Sequence, residues 1–122
     1  MNFKKSKFNI KIILIEPSGP LNVGSIARLC LNYNVDQLRI VSPKCDIYSV
    51  ETKKMALKGI KFIKECNLYE SLIDSIADCD LVLATCGRID YPKDYEQDSL
   101  ENIAKWIKKF KKIKNLAIVF GR

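Results

Sequence analysis

The sequence predicts an α/β domain: a mostly parallel sheet with helices on both faces. Two observations carry that prediction. Short, mostly apolar runs (IKIILI, QLRIV, DLVLAT, LAIVF) recur along the chain, as expected for strands buried on both faces. Segments with helical spacing alternate with them, in the order β-α-β-α-(β)-α-β-α-β that crossover connections of a parallel sheet produce. At 122 residues, 48% hydrophobic, with 5 Gly and 4 Pro, the chain reads as a single domain without internal repeat or linker.

Each element has its own local reason. Ile10 to Ile15 is a β-branched run, and Glu16-Pro17-Ser18-Gly19-Pro20 ends it because two prolines cannot continue a ladder. Asn22 is the expected cap of a helix over Val23 to Tyr33, with Val23, Ile26, Ala27, Cys30 and Tyr33 on one face. Gly24, Ser25, Arg28 and Asn32 fall on the opposite, polar face, with Arg28 about one turn inside the helix. Gln37 to Val41 is the second strand, stopped by Ser42-Pro43. Glu51 to Lys58 forms a helix that Gly59 closes, and Ile60 to Glu70 reads as a short strand or extended connection. Ser71 caps a helix to Ala77 with Asp74 in its first turn; Asp80 to Thr85 is a strand and Cys86 to Asp98 a loop. Ser99 to about Lys112 is a helix with its acid first and its lysines last, and Leu116 to Phe120 is the final strand.

Composition removes several chemistries. The chain has no His, which excludes Ser-His-Asp and Cys-His catalysis and imidazole metal sites. Five Cys (Cys30, Cys45, Cys66, Cys79, Cys86) include no C-x-x-C pair, so neither a disulfide framework nor a zinc site is expected, and a reducing cytoplasm is the natural setting. No apolar run approaches the roughly 20 residues of a membrane span, and Ile10 to Ile15 is too short for a signal segment. The formal net charge of +7 suits a polyanionic partner, although 17 of the 21 basic residues are Lys and a compositional bias explains them equally well.

In parallel α/β sheets ligands bind beyond the carboxyl ends of the strands. Here that edge comprises Glu16 to Gly24, Ser42-Pro43, Thr85 to Arg88 and Gly121-Arg122. Gly19 to Gly24 has the glycine spacing of a P-loop, but Ser25 and Ile26 stand where Lys and Ser/Thr belong, so an NTPase is not expected. Cys86 lacks a His partner and an Arg six residues on, which argues against a catalytic thiol. The acidic loop Cys86 to Asp98 reads either as a lid or as a solvated connection. Lys105 to Lys114 reads as a basic helix that tracks phosphates or as a surface helix docking an apolar stripe.

Taken together, IILIEPSGPLNVGSIAR (Ile12 to Arg28) resembles the first motif of the SpoU/TrmH side of the SPOUT RNA methyltransferases, in its TrmJ-like branch, where the pattern is E-P-x-x-P-x-N-[IV]-G-x-x-A-R. LRIVSP (Leu38 to Pro43), Ser71-Leu72 with DLVLATCGR (Asp80 to Arg88), and AIVFGR (Ala117 to Arg122) resemble the family's later segments in the same order. The resemblance implies a parallel α/β fold with a C-terminal trefoil knot, homodimers, and methyl transfer from S-adenosylmethionine to a ribose 2′-hydroxyl of tRNA or rRNA. By position it implies catalytic roles for Arg28 and Asn22. It implies cofactor contacts for Thr85, Cys86, Gly87 and Gly121, and substrate contacts for Glu16, Ser25 and Arg88. The sequence ends where the family continues into Glu and G-L and then the knot. The expectation is therefore a C-terminally incomplete domain, inactive alone or completed by a separate C-terminal piece, with exposed apolar surface on Leu14, Val82 and Val119. A non-catalytic RNA-binding or assembly remnant is the alternative reading.

Overall fold

The computed structural model describes residues 8–85 and 113–121. Its elements are β1 (Asn9–Ile15), α1 (Pro20–Asn32), β2 (Gln37–Val41), α2 (Val50–Ala56), a 3-10 turn (Leu57–Gly59), α3 (Ile60–Lys64), β3 (Asn67–Tyr69), α4 (Leu72–Ser75), β4 (Leu81–Ala84) and β5 (Asn115–Gly121). Five strands form one sheet in the order β3-β2-β1-β5-β4, and every pairing is parallel. The α/β prediction therefore holds. The expected loop Cys86 to Asp98, the expected helix Ser99 to Lys112 and most of the basic run Lys105 to Lys114 lie outside the described residues.

The pleat of β1 divides the core. Ile10, Ile12 and Leu14 face α1, α2 and α3 together with Val23, Ile26, Ala27, Leu38, Ile40, Phe62, Ile63, Leu116 and Ile118. Ile13 faces the other way with Val41, Ala117 and Val119, and Leu72 and Ile76 at α4 pack against that side. Each fully buried Ile or Leu contributes about 1.5–3 kcal/mol through removal of apolar area from water. Leu14 and Val119, expected to carry exposed apolar surface, are buried; Val82 is exposed.

Arg39 projects from β2 into the second face and is 5% exposed. Its guanidinium forms a two-pronged pair with Asp78 (Nη1 to Oδ1 2.6 Å, Nη2 to Oδ2 2.8 Å), and Nη1 also donates to the Ser75 carbonyl at 2.6 Å. The planar fork thus ties the segment after α4 to the sheet, with the Tyr69 ring 5.7 Å from the guanidinium carbon. Hydrogen bonding to Arg39 holds the Asp78 carboxyl well below the usual carboxylate range.

Several local readings are corrected. Helix α1 begins at Pro20 with Gly19 as its N-cap, so Asn22 lies inside the first turn and is not the cap. Proline is preorganised for that first position, which moves the start three residues upstream. Gly59 does not close a helix: its φ is −74°, and the chain runs on through α3. A Cβ on Gly59 would lie 2.5 Å from the Ala27 carbonyl oxygen and 2.9 Å from Arg28 Cα, so the glycine is there for a close approach to α1. Gly24 likewise leaves the exposed face, because it is buried against α2, where a Cβ would meet the Thr52 oxygen at 2.6 Å. Ile60 to Glu70 resolves into α3 and β3. The Ser71 cap with Asp74 in the first turn is as expected.

Candidate active site at the carboxyl edge of the sheet

The strand order brings the carboxyl ends of β1, β5 and β4 side by side. Ile15 pairs with Gly121, and Ala84 pairs with Val119. Thr85 extends β4 by donating its N–H to the Val119 carbonyl at 2.9 Å, and its hydroxyl donates to the same oxygen at 3.0 Å. Gly121 has φ +142°, and a side chain there would meet the Ile15 carbonyl oxygen at 2.9 Å. Glycine is therefore required for the backbones to pass, and it leaves this rim without a side chain.

The neighbouring strand ends are strained in a paired way. Glu16, directly after β1, has φ +45°, and Ser42, directly after β2, has φ +42°. Such conformations cost a non-glycine residue of the order of 1–3 kcal/mol and persist where surrounding bonds over-determine them. Those bonds are present: Glu16 N–H donates to Val41 O at 2.8 Å, Ser42 N–H to Tyr69 O at 2.9 Å, and Lys44 N–H to Pro17 O at 2.9 Å. The two chains turn off the sheet together, and the Glu16 to Gly19 loop is clamped before it enters α1.

Along α1 the exposed residues are Leu21, Asn22, Ser25, Arg28 and Asn32, a single stripe at about 100° per residue. Since the helix starts at Pro20, Arg28 sits just over two turns inside it, roughly 12 Å along the axis at 1.5 Å per residue. That is one turn deeper than the sequence suggested. The Arg28 side chain opens onto a groove that it shares with Leu31, Asn32, Leu57 and Lys58. The side chains of Glu16, Asn22, Ser25 and Arg28 form no hydrogen bond to another described residue, leaving their polar groups free of described protein partners.

Of the expected site residues, Glu16, Asn22, Ser25, Arg28, Thr85 and Gly121 are described, and they divide between two places. Thr85 and Gly121 sit at adjacent strand ends; Asn22, Ser25 and Arg28 line the exposed face of α1; Glu16 joins the two. Cys86, Gly87 and Arg88 lie outside the described residues. Sequence reasoning missed Gly59, which fixes the backbone at Arg28; a glycine inside a helical stretch is the signal, and it was read as a terminator. Burial pushes the Cys30 thiol up to about 12 and raises Cys45, Cys66 and Cys79 as well, which disfavours the thiolate at each. No group of three or more acidic or Cys side chains that could hold a metal ion exists among the described residues, and no described helix is long and apolar enough to cross a membrane.

Residues 9–122 match the SpoU rRNA Methylase family. A tRNA (cytidine-2'-O-)-methyltransferase TrmJ from Sulfolobus acidocaldarius is 36% identical over 114 residues, covering 93% of this chain and 47% of the relative. The protein of the same description from Methanocaldococcus jannaschii is 33% identical over 115 residues, covering 93% of this chain and 49% of the relative. The chain thus spans about half the length of these curated relatives. Among solved structures, TrmJ from Z. mobilis ZM4 superimposes with a TM-score of 0.71 at 24% identity, over 90% of this chain and 49% of that one, and shares the fold.

Proposed function

We propose that this chain, which belongs to the SpoU rRNA methylase family, serves an S-adenosylmethionine-dependent RNA methyltransferase that modifies a ribose 2′-hydroxyl of tRNA or rRNA. One observation carries the reading. The motif from Glu16 to Arg28 coincides with the clamped exit of β1 and the exposed stripe of α1, so polar groups converge where an α/β sheet takes its ligands. The names of the relatives, which specify 2′-O-methylation of tRNA, support the same substrate class.

The rim at Thr85 and Gly121 fits a cofactor: three parallel strands end there, and Gly121 leaves backbone uncovered. Thr85 and Gly121, with Cys86 and Gly87, are the residues we assign to it. S-adenosylmethionine supplies an activated methyl group on a sulfonium, so the protein's task is orientation and charge stabilisation. A guanidinium is a poor base. The role of Arg28 is to orient the 2′-hydroxyl and stabilise the negative charge that develops on its oxygen as the hydroxyl proton passes to water and the oxygen takes the methyl group. Asn22 and Ser25, on the same stripe, hydrogen-bond the acceptor ribose, and Glu16 and Arg88 hold the substrate at the loop.

Methyl transfer from labelled S-adenosylmethionine to unmodified tRNA and rRNA transcripts, followed by nucleoside mass spectrometry, tests this. With a complementing C-terminal piece present, a 2′-O-methylnucleotide that disappears with Arg28→Ala is expected. A base-methylated product, or equal activity in Arg28→Ala, contradicts it.

A further inference from the structure

We infer that the edge formed by α2, the 3-10 turn and α3 is a phosphate-contacting RNA surface that feeds the Arg28 stripe; this rests on the proposed function above. From residue 53 to 64 the chain carries five lysines (Lys53, Lys54, Lys58, Lys61, Lys64) and no acid. All five are exposed, and none is paired with a described carboxylate, since the ion pair among the described residues is Arg39–Asp78. Only Glu51 at the start of α2 and Glu65 just past α3 oppose them, so the edge is net positive and attractive to a polyanion.

The edge is physically continuous with the candidate site. Lys58 and Arg28 share an open groove of about 530 Å³ with Leu31, Asn32 and Leu57. Leu57 stands at φ +52°, ψ −124°, a conformation that leucine rarely adopts, and is 57% exposed. The groove therefore joins two cations to an apolar wall. That combination suits a nucleotide, whose phosphate takes the charges and whose base or ribose face takes the leucines. Lys54 on α2 and Lys61 on α3 flank Lys58 in the chain and extend the charge beyond the groove.

Fluorescence anisotropy of a labelled, unmodified tRNA transcript, titrated at several salt concentrations, tests the assignment. Replacing Lys54, Lys58 and Lys61 together by Gln should weaken binding at least tenfold. It should also make the log–log salt slope shallower by about 2, at 0.7–0.9 per phosphate contact. A triple variant that binds with the slope of the unmodified chain overturns the inference while leaving the enzyme reading intact. Failure of the unmodified chain to bind any RNA overturns both. Loss of polyglutamate binding with retention of tRNA binding assigns the edge to an acidic protein and overturns the inference alone.

Discussion

Replacing Gly59 by Ala perturbs the backbone of Arg28 without touching its side chain. The new Cβ would sit 2.5 Å from the Ala27 oxygen, 2.7 Å from its carbonyl carbon and 2.9 Å from Arg28 Cα, all backbone atoms of α1. Ordinary contact needs roughly 3.4 Å, so α1 and the 3-10 turn must separate by up to about 1 Å in a close-packed interior, at a cost of about 2–4 kcal/mol. Loss of glycine's freedom in the unfolded chain returns about 0.4–1 kcal/mol, because φ −74° suits alanine. The net destabilisation is about 1–3.5 kcal/mol, which lowers the Tm by roughly 4–14 °C for a domain of this size. Thermal unfolding followed by circular dichroism measures it, with Gly19→Ala as the control because nothing lies within 4 Å of a Cβ there. A Gly59→Ala variant as stable as Gly19→Ala would refute the close-approach reasoning.

Where a complementing C-terminal piece restores activity, Arg28→Ala should abolish methyl transfer while leaving S-adenosylmethionine affinity nearly unchanged, because Thr85 and Gly121 lie at the strand ends and Arg28 on α1; calorimetry beside the transfer assay separates the two. Gly121→Ala combines φ +142° with a 2.9 Å approach to Ile15 O, and should cost about 1–3 kcal/mol and weaken cofactor binding, as read by thermal unfolding with and without cofactor. Asp78→Asn should destabilise by about 1–2 kcal/mol at neutral pH, less than the 3–5 kcal/mol of a fully buried pair because the Asp78 side chain is 57% exposed. The fold lowers the Asp78 pKa, so its contribution is present above about pH 4 and is lost as pH falls toward the folded value. Denaturant titrations at pH 7 and near pH 2 should show the variant's deficit shrinking in acid.

The strands were readable because their apolar runs admit few other uses: β1, β2, β4 and β5 lie within a residue or so of the expected positions. Helix ends were not, because two signals competed. At α1 Asn22 reads as the cap in sequence, whereas Pro20, which reads there only as a strand breaker, starts the helix. Ile60, Phe62 and Ile63 fit either period, so in sequence the segment reads as a strand or extended connection, and packing against α1 makes its first part the helix α3. Gly24 and Gly59 were misread for one shared reason: a glycine that admits a neighbouring helix looks, in sequence, like a neutral or terminating residue. At the site, Glu16 and Arg28 came from the motif itself, whereas the lysines of α2 and α3 resembled any solvated face until the groove joined Lys58 to Arg28.

The central claim concerns RNA, and cellular RNA tests it most directly. Total tRNA and rRNA from cells carrying this sequence are compared by nucleoside mass spectrometry with RNA from cells in which it is deleted. The expected result is loss of one or a few 2′-O-methylnucleotides, restored by the unmodified sequence and not by Arg28→Ala. An unchanged 2′-O-methylation map after deletion, or restoration by Arg28→Ala, contradicts the account.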